Sequence, residues 1–149
     1  MGEGVQPSGT VTFLFTDVED HTRLWQEFPE DMPTCLERHD DIVRSAIEGN
    51  GGYVFATAGD AFCAAFPSVE SAATAASEAQ QGLRSTEWPD GCVLRVRMGL
   101  HTGEAQERDG DYFGPAVIRA ARLMSLGHGG QVLVSTVSAN LLAEKIEYA

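Results

Sequence analysis

Basic residues are scarce in this chain: ten Lys and Arg stand against 22 Asp and Glu, for a formal charge of −12. A protein that grips nucleic acid needs a basic footprint, so that class is excluded. A small anionic ligand is not, because metal ions bridge carboxylates to phosphates; the simplest effect of the acidity is solubility. Cysteine is also rare. Cys35, Cys63 and Cys92 are odd in number and far apart, without a CxxC or Cys/His spacing. That argues against zinc and for a reducing compartment. No apolar run approaches the ~18 residues of a membrane span. The opening "MGEGVQPSG" lacks the basic and then apolar pattern of a signal. Repeats, low-complexity tracts and linkers are missing too. The expectation is a cytoplasmic protein with no membrane segment, its residues 1–149 forming one domain large enough to bury a core.

What is present reads as alternating strands and helices. Val11–Thr16 predicts a buried strand, followed by a helical region interrupted near Pro29 and Pro33. Leu36, Val43 and Ile47, with Ile42 and Ala46 beside them, make an apolar stripe at helical spacing, stopped by "EGNGG". "YVFATAGDAFCAAF" reads as two short strands about a turn at Gly59-Asp60. Pro67-Ser68 opens an Ala-rich helix from Ala72 to Leu83. Leu94, Val96, Met98 and Leu100 then alternate with Arg95 and Arg97, which predicts a strand with one polar face. "HTGEAQERDGDYF" continues it to an Asp-Gly turn. Pro115 sits near a helix start, and Val117, Ala120, Ala121 and Met124 supply that helix's buried face. "GHGG" ends it, "QVLVS" is another strand, and a last helix begins near Thr136. The first six elements spell βαββαβ, the ferredoxin-like arrangement of an α+β sandwich, with an additional C-terminal strand and helix.

Two carboxylates fall at turning points of this order. Asp17 ends the first strand and Asp60 sits in the turn between the next two. Singly, Asp17 also suits a helix cap and Asp60 an ordinary turn. In a βαββαβ sheet the two converge on one edge, where hard oxygen ligands suit Mg²⁺ or Mn²⁺ carrying a triphosphate.

Four blocks, "VTFLFTDVEDHTRLW", "GGYVFATAGDAFCAAF", "RVRMGLHTGEA" and "DGDYFGPAVIRAARLM…GHGGQVLVS", resemble in order and spacing the bacterial class III nucleotidyl cyclase catalytic domain, from about Thr10 to Ser135. The resemblance implies a head-to-tail dimer with active sites between protomers, a two-metal site, and cyclisation of ATP, or of GTP, with loss of pyrophosphate. It places Asp17 and Asp60 on the metal aspartates, the backbone of Val18, Glu19, Asp20, His21 and Thr22 by the phosphates, and Arg97 on a phosphate-contacting arginine. Asp111 matches a base-selecting position and Arg122 the transition-state arginine, both serving the partner's site.

The departures bear on activity. Ala56 replaces the base-selecting lysine, removing a charged hydrogen bond worth roughly 1.5–3 kcal/mol. Ile118 replaces the asparagine that orients the ribose, and misplaced reacting groups cost on the order of 10²-fold. Asp20 and His21 stand where the family has small residues; His21 is expected to be an exposed helix-start residue. The sequence stops at "EKIEYA" before the family's last strands and their phosphate-binding lysine, which suggests a piece of a longer protein. These substitutions predict very weak or absent cyclase activity in a homodimer, with Mn²⁺ preferred over Mg²⁺. The alternative is a non-catalytic pseudo-cyclase that regulates, or pairs as a heterodimer with another cyclase chain. A diguanylate cyclase is a further alternative that only "AGDAF" supports. Arg95 is expected on a solvated sheet face, Arg119 in surface salt bridges, and His39 and His101 as core-edge or helix-surface histidines.

Overall fold

The computed structural model describes residues 6–147, with side chains to residue 144. The Gly-bearing lead up to Val5 and the last two residues lie outside the described residues. Chain order is β1 (Gly9–Val18), α1 (His21–Glu27), α2 (Met32–Gly49), β2 (Tyr53–Ala58), β3 (Ala61–Phe66), α3 (Val69–Ser85), β4 (Val96–Arg108), β5 (Asp111–Phe113), α4 (Pro115–Ser125), β6 (Val132–Val134) and α5 (Thr136–Glu147). The strands form one sheet in the order β2-β3-β1-β4-β5, and β6 lies parallel to β4. This is the ferredoxin-like core anticipated from the sequence, with its extra strand and helix. No helix among the described residues is long and apolar enough to cross a membrane.

β1 is central because both of its faces are apolar. Leu14 and Val18 face a layer formed by α2 and α3, while Val11, Phe13 and Phe15 face the opposite side, where Ala116 and Ala120 of α4 pack. The strand runs two residues past the predicted Thr16. Pairing with β4 continues through Asp17↔Arg97 and Val18↔Val96, so Asp17 lies inside the strand and not at its end. Strand alternation then puts Asp17 on the α4 side, directly opposite Arg97.

Small residues set the spacing between layers. Ala72, Ala75, Ala76 and Ala79 of α3 are buried and let that helix lie close on the sheet. Its first turn is capped by the Ser68 hydroxyl, which accepts from Ser71 N at 3.1 Å. On the other face a Cβ at Gly99 would meet the backbone nitrogen of Met124 at 2.6 Å, so α4 touches β4 backbone to backbone.

α2 buries Met32, Cys35, His39, Val43, Ala46 and Ile47. The expected Leu36 and Ile42 flank this stripe, half-buried. Its centre is polar because of what it meets: Cys35 Sγ lies 3.5 Å from Cys92 Sγ, and the His39 ring lies 6.0 Å from that of Phe62. His39 and His101 are therefore core residues, 0% and 6% exposed. In β2 the register slips between Val54 and Ala56, a bulge that sends Phe55 among Phe13, Phe15 and Tyr112. β4 and β5 are joined by Asp109-Gly110, both with positive φ (53° and 80°), as a two-residue hairpin turn demands.

Candidate active site

A cleft of about 650 Å³ opens where β1 ends, β2 turns into β3, α1 begins and β4 starts. Asp17, Asp60 and Arg97 line it, together with Val18, Asp20, His21 and Thr22. Seven of the residues singled out in the sequence thus come together in one place.

Their hydrogen bonds are specific. Arg97 grips Asp17 with two parallel bonds, Nε to Oδ1 at 2.7 Å and Nη2 to Oδ2 at 2.5 Å. A fork-to-carboxylate pair of this kind is among the stronger protein hydrogen bonds. The Asp17 bond raises the arginine's pKa above its ordinary value, against the opposing effect of burial, so Arg97 carries its charge throughout. Asp60 is 7% exposed. Its Oδ1 accepts from the backbone N–H of Val18 at 3.3 Å, and its Oδ2 contacts His21 Nδ1.

His21 opens α1, as expected from the sequence, with its side chain 41% exposed, and in addition engages Asp60. Asp20, the residue before α1, adopts a left-handed conformation with φ 57°. That conformation favours small residues, and among side chains Asp and Asn tolerate it best. The turn aims the imidazole across 39 residues of sequence at Asp60.

Glu19 departs from its neighbours. Its Oε1 accepts from Gly129 N at 3.0 Å, which anchors the "GHGG" turn to the end of β1 and takes the carboxylate out of the cleft.

The remaining sequence-derived positions do not line this cleft, although Arg122 lies one helical turn before Ser125, whose carbonyl accepts from Arg97 Nη1 at 3.4 Å. Asp111 begins β5 and pairs with Arg108, at the end of β4 opposite Arg97. Eleven residue steps along the strand lead from Arg97 to Arg108, on the order of 35 Å if extended. Asp111 Oδ1 accepts from Tyr112 N at 2.8 Å. Ala56 is exposed opposite Cys63 on β3. Burial, and then the charge of Asp111, push the Cys63 thiol up to about 11. Ile118 and Arg122 share an exposed face of α4, with Ile118 61% exposed. None of these four residues lines that cleft.

The sequence matches the model of the adenylate and guanylate cyclase catalytic domain over residues 4–149. The chain belongs to that family. An uncharacterised protein of Mycobacterium tuberculosis is 44% identical over 142 residues, covering 94% of this chain and 47% of that protein. An adenylate cyclase of Lachancea kluyveri is 36% identical over 155 residues, covering 87% of this chain and 8% of that enzyme. Among solved structures, an adenylate cyclase of Trypanosoma brucei in its monomeric state superposes with a TM-score of 0.84 at 30% identity, covering 95% of this cyclase-family chain and 79% of the other. The chain spans about half the length of the mycobacterial relative, and less of the fungal one.

Cyclases of this family work with divalent metals. The donor chemistry of Asp17 and Asp60 fits Mg²⁺ or Mn²⁺, which take hard carboxylate oxygens. As the side chains stand, each carboxylate is engaged by Arg97 or His21. Among the described residues no three His, Cys, Asp or Glu side chains are grouped to hold a metal ion.

Proposed function

We propose that this chain is a nucleotidyl cyclase-like domain of cyclic-nucleotide signalling, with a serviceable metal side and a degraded base and ribose side. The observation that carries this is the separation along β4. Asp17, Asp60 and Arg97 share one cleft, while Asp111 lies at the strand's other end, further than one nucleoside triphosphate reaches. A complete site then needs two chains, head to tail. One supplies the metal carboxylates and the other supplies Asp111 and Arg122.

In that arrangement ATP is the substrate, with GTP the competitor to be tested. The ribose 3′-oxygen attacks the α-phosphorus, its proton is lost, and pyrophosphate departs. Asp17 and Asp60 would hold the ions, which when bound activate the hydroxyl and stabilise the leaving group. The backbone from Val18 to Thr22 lies beside the phosphates. Arg97 leaves Asp17 to meet them, which conserves its charge pairing while freeing the carboxylate. Arg122 of the second chain stabilises the transition-state charge. Ala56 and Ile118 offer neither donor nor acceptor, so base selection and ribose orientation are lost. Cyclisation by a homodimer is very weak or absent on this reading. The domain occupies residues 1–149 and acts in the cytoplasm.

The same separation favours a second reading, a non-catalytic partner. A chain with an intact metal side can complete a heterodimer whose other member brings the base and ribose contacts.

The test is cyclic AMP and cyclic GMP formation by the purified protein with Mn²⁺ and with Mg²⁺. We expect product near background, with Mn²⁺ the better ion. Ala56→Lys with Ile118→Asn should raise it about 10²-fold or more. Robust Mg²⁺-ATP turnover by the unmodified chain, abolished by Asp17→Ala, would overturn the degenerate reading.

A further inference from the structure

The metal side contains a residue whose position calls for a role of its own. His21 Nδ1 sits directly on Asp60 Oδ2, and both line the cleft shared with Asp17. The ring is steered by the left-handed turn at Asp20. The ring also meets Trp25 edge-on, with ring centroids 6.5 Å apart. His21 is thus directed at the carboxylate by its backbone and steadied by a neighbouring ring.

We propose that His21 is the metal-selecting residue of this site, a nitrogen ligand that favours Mn²⁺, Co²⁺ or Zn²⁺ and obstructs Mg²⁺. This rests on the reading of Asp17 and Asp60 as metal ligands. An ion held by Asp60 Oδ2 on the cleft side lies within reach of the imidazole nitrogen that touches the same oxygen. It replaces the proton that Nδ1 donates to that carboxylate, leaving a neutral ring with its hydrogen on Nε2. Bonds of about 2.1 Å space neighbouring ligand atoms of an octahedral ion about 3 Å apart, so the two groups need only part slightly to admit it. The ring's effect depends on the ion. Imidazole is a good ligand for later first-row metals, whereas Mg²⁺ takes oxygen and keeps its water. A transition-metal ion is therefore retained by the ring, and Mg²⁺ must push it aside. Asp17 joins the ligand set once Arg97 turns to an incoming triphosphate.

The test uses the whole chain and needs no turnover. Mn²⁺ is titrated by electron paramagnetic resonance, and Co²⁺ and Mg²⁺ are measured by competition against it. The unmodified protein, His21→Ser, Asp17→Asn and Asp60→Asn are compared, with thermal melting to check folding. We expect nitrogen hyperfine coupling on Mn²⁺ bound to the unmodified protein and its loss in His21→Ser. The Co²⁺-to-Mg²⁺ affinity ratio should fall at least about tenfold in that variant. Aspartate-dependent binding with no nitrogen coupling would overturn the role of His21 alone, and so would a His21→Ser change that shifts Co²⁺ and Mg²⁺ by one common factor. Binding indifferent to Asp17→Asn and Asp60→Asn would remove the metal seat itself, and His21's role with it. The nitrogen coupling is read on the unmodified protein, so poor folding of a variant leaves that arm intact.

Discussion

At the scale of single residues, the chain places its histidines where their chemistry differs. His101 on β4 is buried, with Nδ1 2.8 Å from the Ser135 hydroxyl. Burial, and next the charge of Arg119, lower its pKa below the usual imidazole value. The folded state therefore favours the neutral ring. As pH falls below the ordinary value of about 6.5, the unfolded chain takes up the proton first. Stability then rises with pH in that window, so this contribution is complete above it and is lost as pH falls toward the depressed value. Replacing His101 with Gln should flatten the loss. Urea midpoints at about pH 7.5 and 5.5 give the measurement, and an equal drop in the variant and the parent would refute it. That Asp17 and Asp60 meet in one cleft was legible from their position in the element order. The Asp60–His21 contact was not, because it joins residues 39 apart and depends on the backbone of Asp20, which no local pattern reveals.

At the scale of elements, the contact between α4 and β4 is the most restrictive. Gly99 and Gly103 lie beneath Met124 and Ala116, and added Cβ atoms would meet them at 2.6 and 2.9 Å. The neighbour at Gly99 is backbone, which cannot rotate away. Gly99→Ala should displace α4 and destabilise the fold by about 1–3 kcal/mol, as overpacked cores do. Chemical denaturation measures this, and a loss below about 0.5 kcal/mol would show that the helix shifts freely. The hairpin β2–β3 matched its sequence reading because a Gly-Asp turn between apolar runs is a local signal. The buried stripe of α2 was only partly legible. Cys35 and His39 look polar or neutral in sequence, and only their partners Cys92 and Phe62 make them core.

At the scale of the whole molecule, Asp111 lies at the end of β4 opposite the cleft of Asp17, Asp60 and Arg97. Phe113, 47% exposed, and Ile118, 61% exposed, leave apolar surface near Asp111. If two chains complete each site there, the specific activity of the Ala56→Lys, Ile118→Asn protein should rise with protein concentration and level off as the dimer saturates. Phe113→Asp should weaken self-association roughly tenfold, about 1.4 kcal/mol. Sedimentation velocity and a dilution series of the assay report the two effects. Activity per chain unchanged on dilution into the monomer range would rule out the composite site.

The sequence by itself determined the element order, the family and the meeting of Asp17 and Asp60 at one sheet edge. Those rest on local periodicity, turn residues and ordered motifs, all carried by neighbours in the chain. Tertiary structure alone decided how the site is wired. The antiparallel register of β1 and β4 sets Arg97 on Asp17. The left-handed turn at Asp20 swings His21 onto Asp60, and Glu19 turns away to hold the "GHGG" loop. Each of these contacts is made by groups that folding brings together from distant or oppositely facing positions. Sequence spacing carries no record of them.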